Sequence, residues 1–243
     1  SRKEMTAQGL EKAIEQVEST SMMEDTVLVV FLPECHESLA GIIAGRLRER
    51  YHKPSFVLTR GEEGVKGSGR SIESYSMYEK LCECKEYLTK FGGHPMAAGL
   101  SLEEENVERF RRKLNEQSGL TEEDLVEKVT IDVPMPIHYI RKDLVQELSL
   151  LEPFGKGNEK PLFAQKNLWV SQMRVFGKNR NVVKMRLTDE NGYPMDGVYF
   201  GNGDEFAEEG RGKRKISIVY YPDINMYQGR ESLQVIIRHY QFD

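Results

Sequence analysis

At 243 residues and a net charge of −5, the chain has room for one large domain or two ordinary ones, and it carries the wrong sign to grip nucleic acid over its whole surface. A composition of 39 % hydrophobic and 30 % charged residues excludes a disordered chain, and the longest apolar run, Val27 to Leu32, is far short of the ~18 residues a membrane helix needs. Cys35, Cys82 and Cys84 have no further Cys or His at ligand spacing, so they read as free thiols of a reducing cytoplasm rather than a zinc site.

The polar N-terminus lacks a signal-peptide pattern and begins at Ser1 rather than Met, which reads as a cut-out fragment or a tag remnant. Residues Leu10 to Val17 have helical spacing. Thr26 to Leu32 reads as a buried strand, Glu37 to Tyr51 as a helix, Ser55 to Thr59 as a strand and Met77 to Thr89 as a helix. Met96 to Leu102 follows as a strand and Glu103 to Gln117 as a charged amphipathic helix. Strands interleaved with helices predict a small α/β domain whose functional residues sit at strand ends. After Gly119 the pattern turns to strands: Val126 to Val133, Leu168 to Val175, Val182 to Leu187, Met195 to Phe200, Ile216 to Tyr221 and Leu233 to Ile237. Asn191-Gly192 and Gly201-Asn202-Gly203 read as turns, and Ile140 to Leu150 as a helix. The expectation is an α/β domain over 21–122, preceded by a helix over 1–20 and followed by a small β-barrel over 123–243.

Three segments of the first half carry candidate chemistry. Glu34 to Arg46 places His36 at a helix start, where orphan N–H groups and the helix dipole favour an anion. In the same segment Ala40, Gly41, Ala44 and Gly45 leave one helix face nearly bare. In Lys66 to Ile72, glycines relax the backbone around Ser68 and Ser71, and the planar fork of Arg70 suits phosphate. In Phe91 to Leu100, Gly92 and Gly93 allow backbone N–H groups and the imidazole of His94 to converge on one anionic oxygen.

In this order and spacing the three segments resemble the DHH-associated domain of the RecJ family, bacterial exonucleases that degrade single-stranded DNA from the 5′ end. His36 to Ile42 matches a His-x-x-x-x-Gly-Ile segment, Gly67 to Ile72 a Gly-Ser-Gly-Arg-Ser-Ile strand, and Phe91 to Leu100 a Phe-Gly-Gly-His-x-x-Ala-Ala-Gly-Leu stretch. Glu34-Cys35 departs from the family, which has an aromatic residue before the histidine. Leu151 to Asn158 resembles the start of that family's OB-fold domain, Asn225 to Gln234 its final hairpin, and Ser1 to Val17 the helix leading out of its catalytic domain.

The resemblance implies an α/β DHH-associated domain followed by an all-β OB-fold. It implies that His36 and His94 assist catalysis and that Arg46, Ser68, Arg70, Ser71, Gly92 and Gly93 hold phosphates of the strand. It also implies a partner, the N-terminal DHH domain of the same protein, whose Asp and His residues hold two divalent ions, Mn or Mg. This chain has no Asp-His-His motif, and its histidines 36, 52, 94, 138 and 239 are scattered, so no cofactor is expected within it. Alone it is expected not to hydrolyse DNA.

In the second half, Lys166 to Thr188 carries Lys166, Arg174, Lys178, Arg180, Lys184 and Arg186 without an acidic residue, and Arg211 to Lys215 adds a second basic cluster. Interleaved with them are Trp169, Phe176, Tyr199, Phe200, Tyr220, Tyr221 and Tyr227, each expected in the core more often than on a binding face. Phosphates on Lys178, Arg180, Lys184 and Arg186 with bases on nearby rings would bind single-stranded DNA with weak sequence discrimination. Two other readings are open: a non-catalytic single-strand-binding protein, and a DHH phosphoesterase acting on short oligonucleotides.

Overall fold

A computed structural model describes residues 2–62, 64–155 and 157–243. Ser1, and Lys156 of the Leu151–Asn158 motif, lie outside them. The chain divides into two compact units, Ser1–Lys128 and Val129–Asp243.

The first unit is built on a mixed sheet. Its helices and strands run α1 (Arg2–Glu18), β1 (Leu28–Phe31), α2 (Glu37–Tyr51), β2 (Ser55–Arg60), β3 (Val65–Arg70), α3 (Met77–Glu83), β4 (Lys90–His94), β5 (Ala97–Leu102) and α4 (Val107–Glu116). The strand order is β1-β2-β3-β5-β4, with only β1 and β2 parallel. The parallel pair, β1 and β2, is apolar on both faces because helices cover both. Leu28, Val30 and Val57 pack with Ala13, Val17, Ile43 and Leu47 of α1 and α2. Val27, Val29, Phe56 and Leu58 pack on the opposite side with Met77, Leu81, Phe110 and Leu114 of α3 and α4.

The second unit is a closed barrel of β6 (Phe163–Phe176), β7 (Val182–Thr188), β8 (Pro194–Phe200), β9 (Lys215–Tyr227) and β10 (Arg230–Phe242), in the order β10-β8-β7-β6-β9. Only β8 and β10 run parallel. A short α5 (Lys142–Ser149) precedes the barrel, and α6 (Gly203–Glu209) lies between β8 and β9. Helix α6 sends Phe206 into the core against Tyr199 at 4.8 Å and Tyr240 at 4.3 Å between ring centroids. A five-stranded Greek-key barrel is the OB architecture. The fold class is thus the expected one, α/β followed by an OB barrel.

Several elements differ from expectation, each for a physical reason. Met77 to Thr89 is not one helix: α3 ends at Glu83 and a 3₁₀ turn, Lys85–Tyr87, follows. The chain must already be extended at Thr89, whose N–H donates to the Ser101 carbonyl at 2.9 Å. Phe91 to His94, to which the pattern assigns no element, is strand, and Met96, expected to open the next strand, lies with Pro95 in the turn. Val126 to Val133 forms no strand: Val126 and Ile131 are exposed, Pro134 follows, and the contact with the barrel is an isolated bridge from Val133 to Phe163. The Gly201-Asn202-Gly203 turn signal is the start of α6, where the Asn202 side chain accepts the Glu205 N–H at 3.2 Å.

One buried carboxylate organises the β7–β8 turn. Asp189 is 3 % exposed; its Oδ1 accepts the Asn191 and Tyr193 N–H groups at 2.9 and 2.8 Å, and its Oδ2 lies 2.8 Å from Nδ1 of His138. Burial pushes this carboxyl up, but the Tyr193 N–H, His138 and the Asn191 N–H outweigh it and hold it below the usual aspartate value. A depressed folded-state value means stabilisation that is complete above the unfolded pKa of about 3.9 and lost as pH falls through the folded one. Asp189→Ala is therefore expected to cost about 2–4 kcal/mol at neutral pH in urea unfolding, with native chain and variant converging on acidification below pH ~4. A gap unchanged by acid would contradict this account of the turn.

Candidate functional site

The exposed face of β3, β5 and β4 is a grid set by register. Lys66 pairs with Ser101 and Ser101 with Lys90; Ser68 pairs with Gly99 and Gly99 with Gly92; Arg70 pairs with Ala97 and Ala97 with His94. Side chains alternate along a strand, so these nine positions share one face. The alternate positions turn inward: a Cβ on Gly69 would lie 2.6 Å from Met77 Sδ and 2.7 Å from Phe56. The middle row of the outer face is almost flat, a hydroxymethyl and two bare glycines, with cationic residues at both ends. Helix α2 borders this floor and makes it a cleft of about 550 Å³ lined by Glu37, Ser38, Ser68, Lys90, Gly92 and Gly99, among others.

Each charged group in the grid has a definite setting. Glu37, in the first turn of α2, holds Lys66 at 2.9 Å, and that contact lowers the Glu37 carboxyl below its ordinary value. Neither Arg70 nor Lys90 has a carboxylate partner among the described residues. Arg70 donates from Nη1 to the Gly69 carbonyl at 2.8 Å and lies over the bare face of α2, where a Cβ on Gly41 would come within 2.8 Å of Nη2. The glycine stripe on α2 thus seats the guanidinium beside the floor.

The two histidines share a device. His36 is the N-cap of α2, and its Nδ1 accepts the Ser38 N–H at 3.2 Å. His94 ends β4, and its Nδ1 accepts the Met96 N–H at 3.2 Å. With Nδ1 fixed as acceptor, the proton of a neutral ring sits on Nε2, which faces outward as a donor. Both rings are exposed.

The sequence-predicted residues fall into three groups. Ser68 and Gly92 line the cleft, and Arg70 and His94 stand in the adjoining row of the same face. His36 starts the helix whose first turn borders the cleft, but its ring lines a separate hollow of about 180 Å³ with Met5, Gly9, Lys12, Leu32 and Cys35. Ser71, Gly93 and Arg46 do not reach the cleft. Ser71 is buried and donates its hydroxyl to the Tyr75 carbonyl at 2.5 Å, so it holds the turn after β3. Gly93 has φ +150°, and a Cβ there would overlap the Ala97 carbonyl oxygen, so its place is a backbone requirement of the hairpin. Arg46 lies more than two turns along α2 and pairs with Glu49 at 2.9 Å. Lys90, Lys66 and Gly99 complete the face; their signal is the pairing register, which the sequence alone does not print.

On the barrel, Phe176, Val182 and Phe200 form one outward row across β6, β7 and β8, with Lys184 Nζ 6.0 Å from the Phe176 centroid. Lys178 lies in the β6–β7 turn beside this row. Arg180 and Arg186 point outward but pair with Asp204 at 2.6 Å and Asp196 at 2.5 Å. Exposed ion pairs of this kind are weak, so a phosphate can compete for either guanidinium. Trp169, Phe176, Phe200 and Tyr227 are exposed, although the core is the more frequent expectation for each ring. Tyr199 and Tyr220 are core residues, the latter donating its hydroxyl to the Met135 carbonyl at 2.6 Å, and Tyr221 lies half-buried under Lys160 at 3.8 Å. Among the described residues no group of three or more His, Cys, Asp or Glu side chains could hold a metal ion, so a two-metal centre does not fit this chain's own residues.

Known proteins resemble both units of the chain. Residues 24–119 match the DHHA1 domain family and residues 131–239 the RecJ OB domain family. The chain is 36 % identical to the single-stranded-DNA-specific exonuclease RecJ of Bacillus subtilis over 98 % of its own length and 30 % of that relative's. It is 33 % identical to the RecJ of Escherichia coli, over 97 % of its length and 42 % of the relative's. The crystal structure of RecJ from Thermus thermophilus in complex with Mg²⁺ superimposes with a TM-score of 0.79 at 24 % identity, covering 99 % of this chain and 36 % of that one, a likeness of fold. The chain thus spans between 30 and 42 % of the length of these relatives. With its α/β unit matching the DHHA1 domain family and its barrel the RecJ OB domain family, the chain belongs to these two domain families and is similar to RecJ over nearly its whole length.

Proposed function

We propose that the chain is the strand-holding part of a RecJ-type 5′-to-3′ single-stranded-DNA exonuclease acting in DNA repair and recombination in the cytoplasm. Its β3–β5–β4 face takes phosphates of the strand, and its barrel takes bases and further phosphates. Hydrolysis belongs to a DHH domain of the same protein, with Mn or Mg held by that domain's residues. The observation that carries this reading is the flat Ser68-Gly99-Gly92 row between cationic ends. A glycine in an extended strand weakens it by roughly 0.5–1 kcal/mol. Yet a Cβ on Gly92 would meet nothing within 4 Å, and one on Gly99 only the Gly67 carbonyl oxygen at 3.9 Å. Packing does not require either glycine; a backbone-thin ligand lying on the floor does. A phosphodiester backbone has that profile, and Arg70, Lys90 and the Nε2–H of His94 supply donors to it.

On the barrel, the β7–β8 face and the β6–β7 and β9–β10 turns are where OB-folds hold oligonucleotides. Phe176, Phe200, Lys178 and Lys184 offer the ring-and-cation pairing that binds single strands without sequence preference.

Arg70→Ala separates this reading from a pure single-strand binder. It is expected to weaken binding of a 5′-phosphorylated oligonucleotide roughly 10- to 100-fold and to erase the native chain's preference for the phosphorylated form. Equal affinity of variant and native chain, measured by fluorescence anisotropy at one fixed salt concentration, would remove Arg70 from the phosphate site.

A further inference from the structure

The outward face of the barrel carries rings at two ends. One end is the Phe176-Val182-Phe200 row. At the other, register places Trp169, Thr188 and Pro194 in a row across β6, β7 and β8. Trp169 is the chain's only tryptophan and is 46 % exposed, although burying so large a ring would stabilise the fold. Lys215 stands opposite it on β9 and lays its ammonium 4.8 Å from the indole centroid.

The surroundings are mainly basic. The turn leading into β9 carries Lys213 and Arg214, and the Arg214 carbonyl accepts the Val170 N–H at 2.9 Å, which ties that turn to the residue after Trp169. Lys166 lies three residues earlier on β6. Arg211 is engaged by Glu208 at 2.6 Å. The nearby carboxylates are Asp243, whose Oδ2 accepts the Ser217 hydroxyl at 3.0 Å and whose N–H donates to the Lys215 carbonyl, and Glu190 in the β7–β8 turn.

We propose that Trp169 is a second base-stacking station for single-stranded nucleic acid, with Lys215, Lys213 and Arg214 receiving the flanking phosphates. This rests on the reading of the barrel as a single-strand binder and adds where the strand goes. A base approaching the indole takes the ring face that Lys215 covers, and the ammonium moves from the ring onto a phosphate, so the cation–π contact is exchanged for a charge pair rather than lost. Trp169 and Phe176 are seven residues apart on the bulged β6 and their partners Thr188 and Val182 six apart on β7, roughly 20 Å at about 3.3 Å per residue. That span holds about six nucleotides at a stacked rise of about 3.4 Å, so a strand engaging both stations covers more than the loop end alone. Stacking on indole accepts any base.

The sole tryptophan makes the test direct. The full chain is titrated with an oligothymidylate of about 12 nucleotides, within the usual OB site range, following tryptophan emission and, with a fluorescein-labelled copy, anisotropy. The expected result is saturable quenching of roughly half the emission or more, tracking anisotropy; Trp169→Ala binding roughly 5- to 100-fold more weakly; and Trp169→Phe retaining affinity to within about threefold. Lys215→Gln should reduce the slope of log K against log salt by about 0.7. Anisotropy showing tight binding while emission stays constant and Trp169→Ala binds like the native chain would overturn the inference and leave the barrel's other end standing. No binding by the native chain would overturn both.

Discussion

Replacing Gly92 with valine is expected to cut affinity for a 5′-phosphorylated oligonucleotide at least tenfold while leaving the urea-unfolding midpoint at or slightly above that of the native chain. Gly92 lies in β4 with no neighbour within 4 Å of the position a Cβ would take. The new side chain meets no protein atom, and a β-branched residue in an extended, exposed strand position is favourable by up to about 1 kcal/mol. What the isopropyl group does meet is the space above the floor between Lys90 and His94, on the row shared with Gly99 and Ser68. A stable variant with native affinity would mean that the ligand does not lie on this row.

The neighbouring position is expected to behave in the opposite way. Gly93→Ala should cost about 3 kcal/mol or more of stability, a large share of the ~5–15 kcal/mol that holds a domain folded. Gly93 has φ +150°, and its Cβ would overlap the Ala97 carbonyl oxygen and approach Ala98 Cα at 2.6 Å. Those atoms belong to the paired strand β5, so relief requires the hairpin to separate. A loss below about 1 kcal/mol in urea unfolding would show that the β4–β5 hairpin yields where its pairing says it cannot. Two adjacent glycines thus answer to different demands, one to the ligand and one to the backbone.

The contrast shows what the sequence can and cannot express. The sequence boundaries of α2 match the structure because His36 is a side-chain cap and the helix has an apolar face, both local signals. The Phe-Gly-Gly-His segment is legible as unusual but not as a strand, since glycine weakens the strand pattern that β5 pairing restores. Lys66 lies in a segment that stands out, and Lys90 in none; both join the face only because Ser101 pairs with each, and register is a non-local property. Helix α6 is hidden because Asn and Gly signal a turn and a helix start alike, and the distinction lies in Phe206 finding the barrel core. The exposure of Phe176 turns on a bulge between Ser171 and Arg174 that shifts the outward set of β6.

The proposed path of the strand crosses the Ser68-Gly99-Gly92 row. Amide NMR spectra of the ¹⁵N-labelled chain, recorded while a short 5′-phosphorylated oligonucleotide is added, address that row residue by residue. The predicted result is saturable shifts at Ser68, Gly92 and Gly99, with Arg70 and His94 moving in the same titration. Saturation of the chain with those amides unmoved, and shifts confined to the barrel, would contradict it.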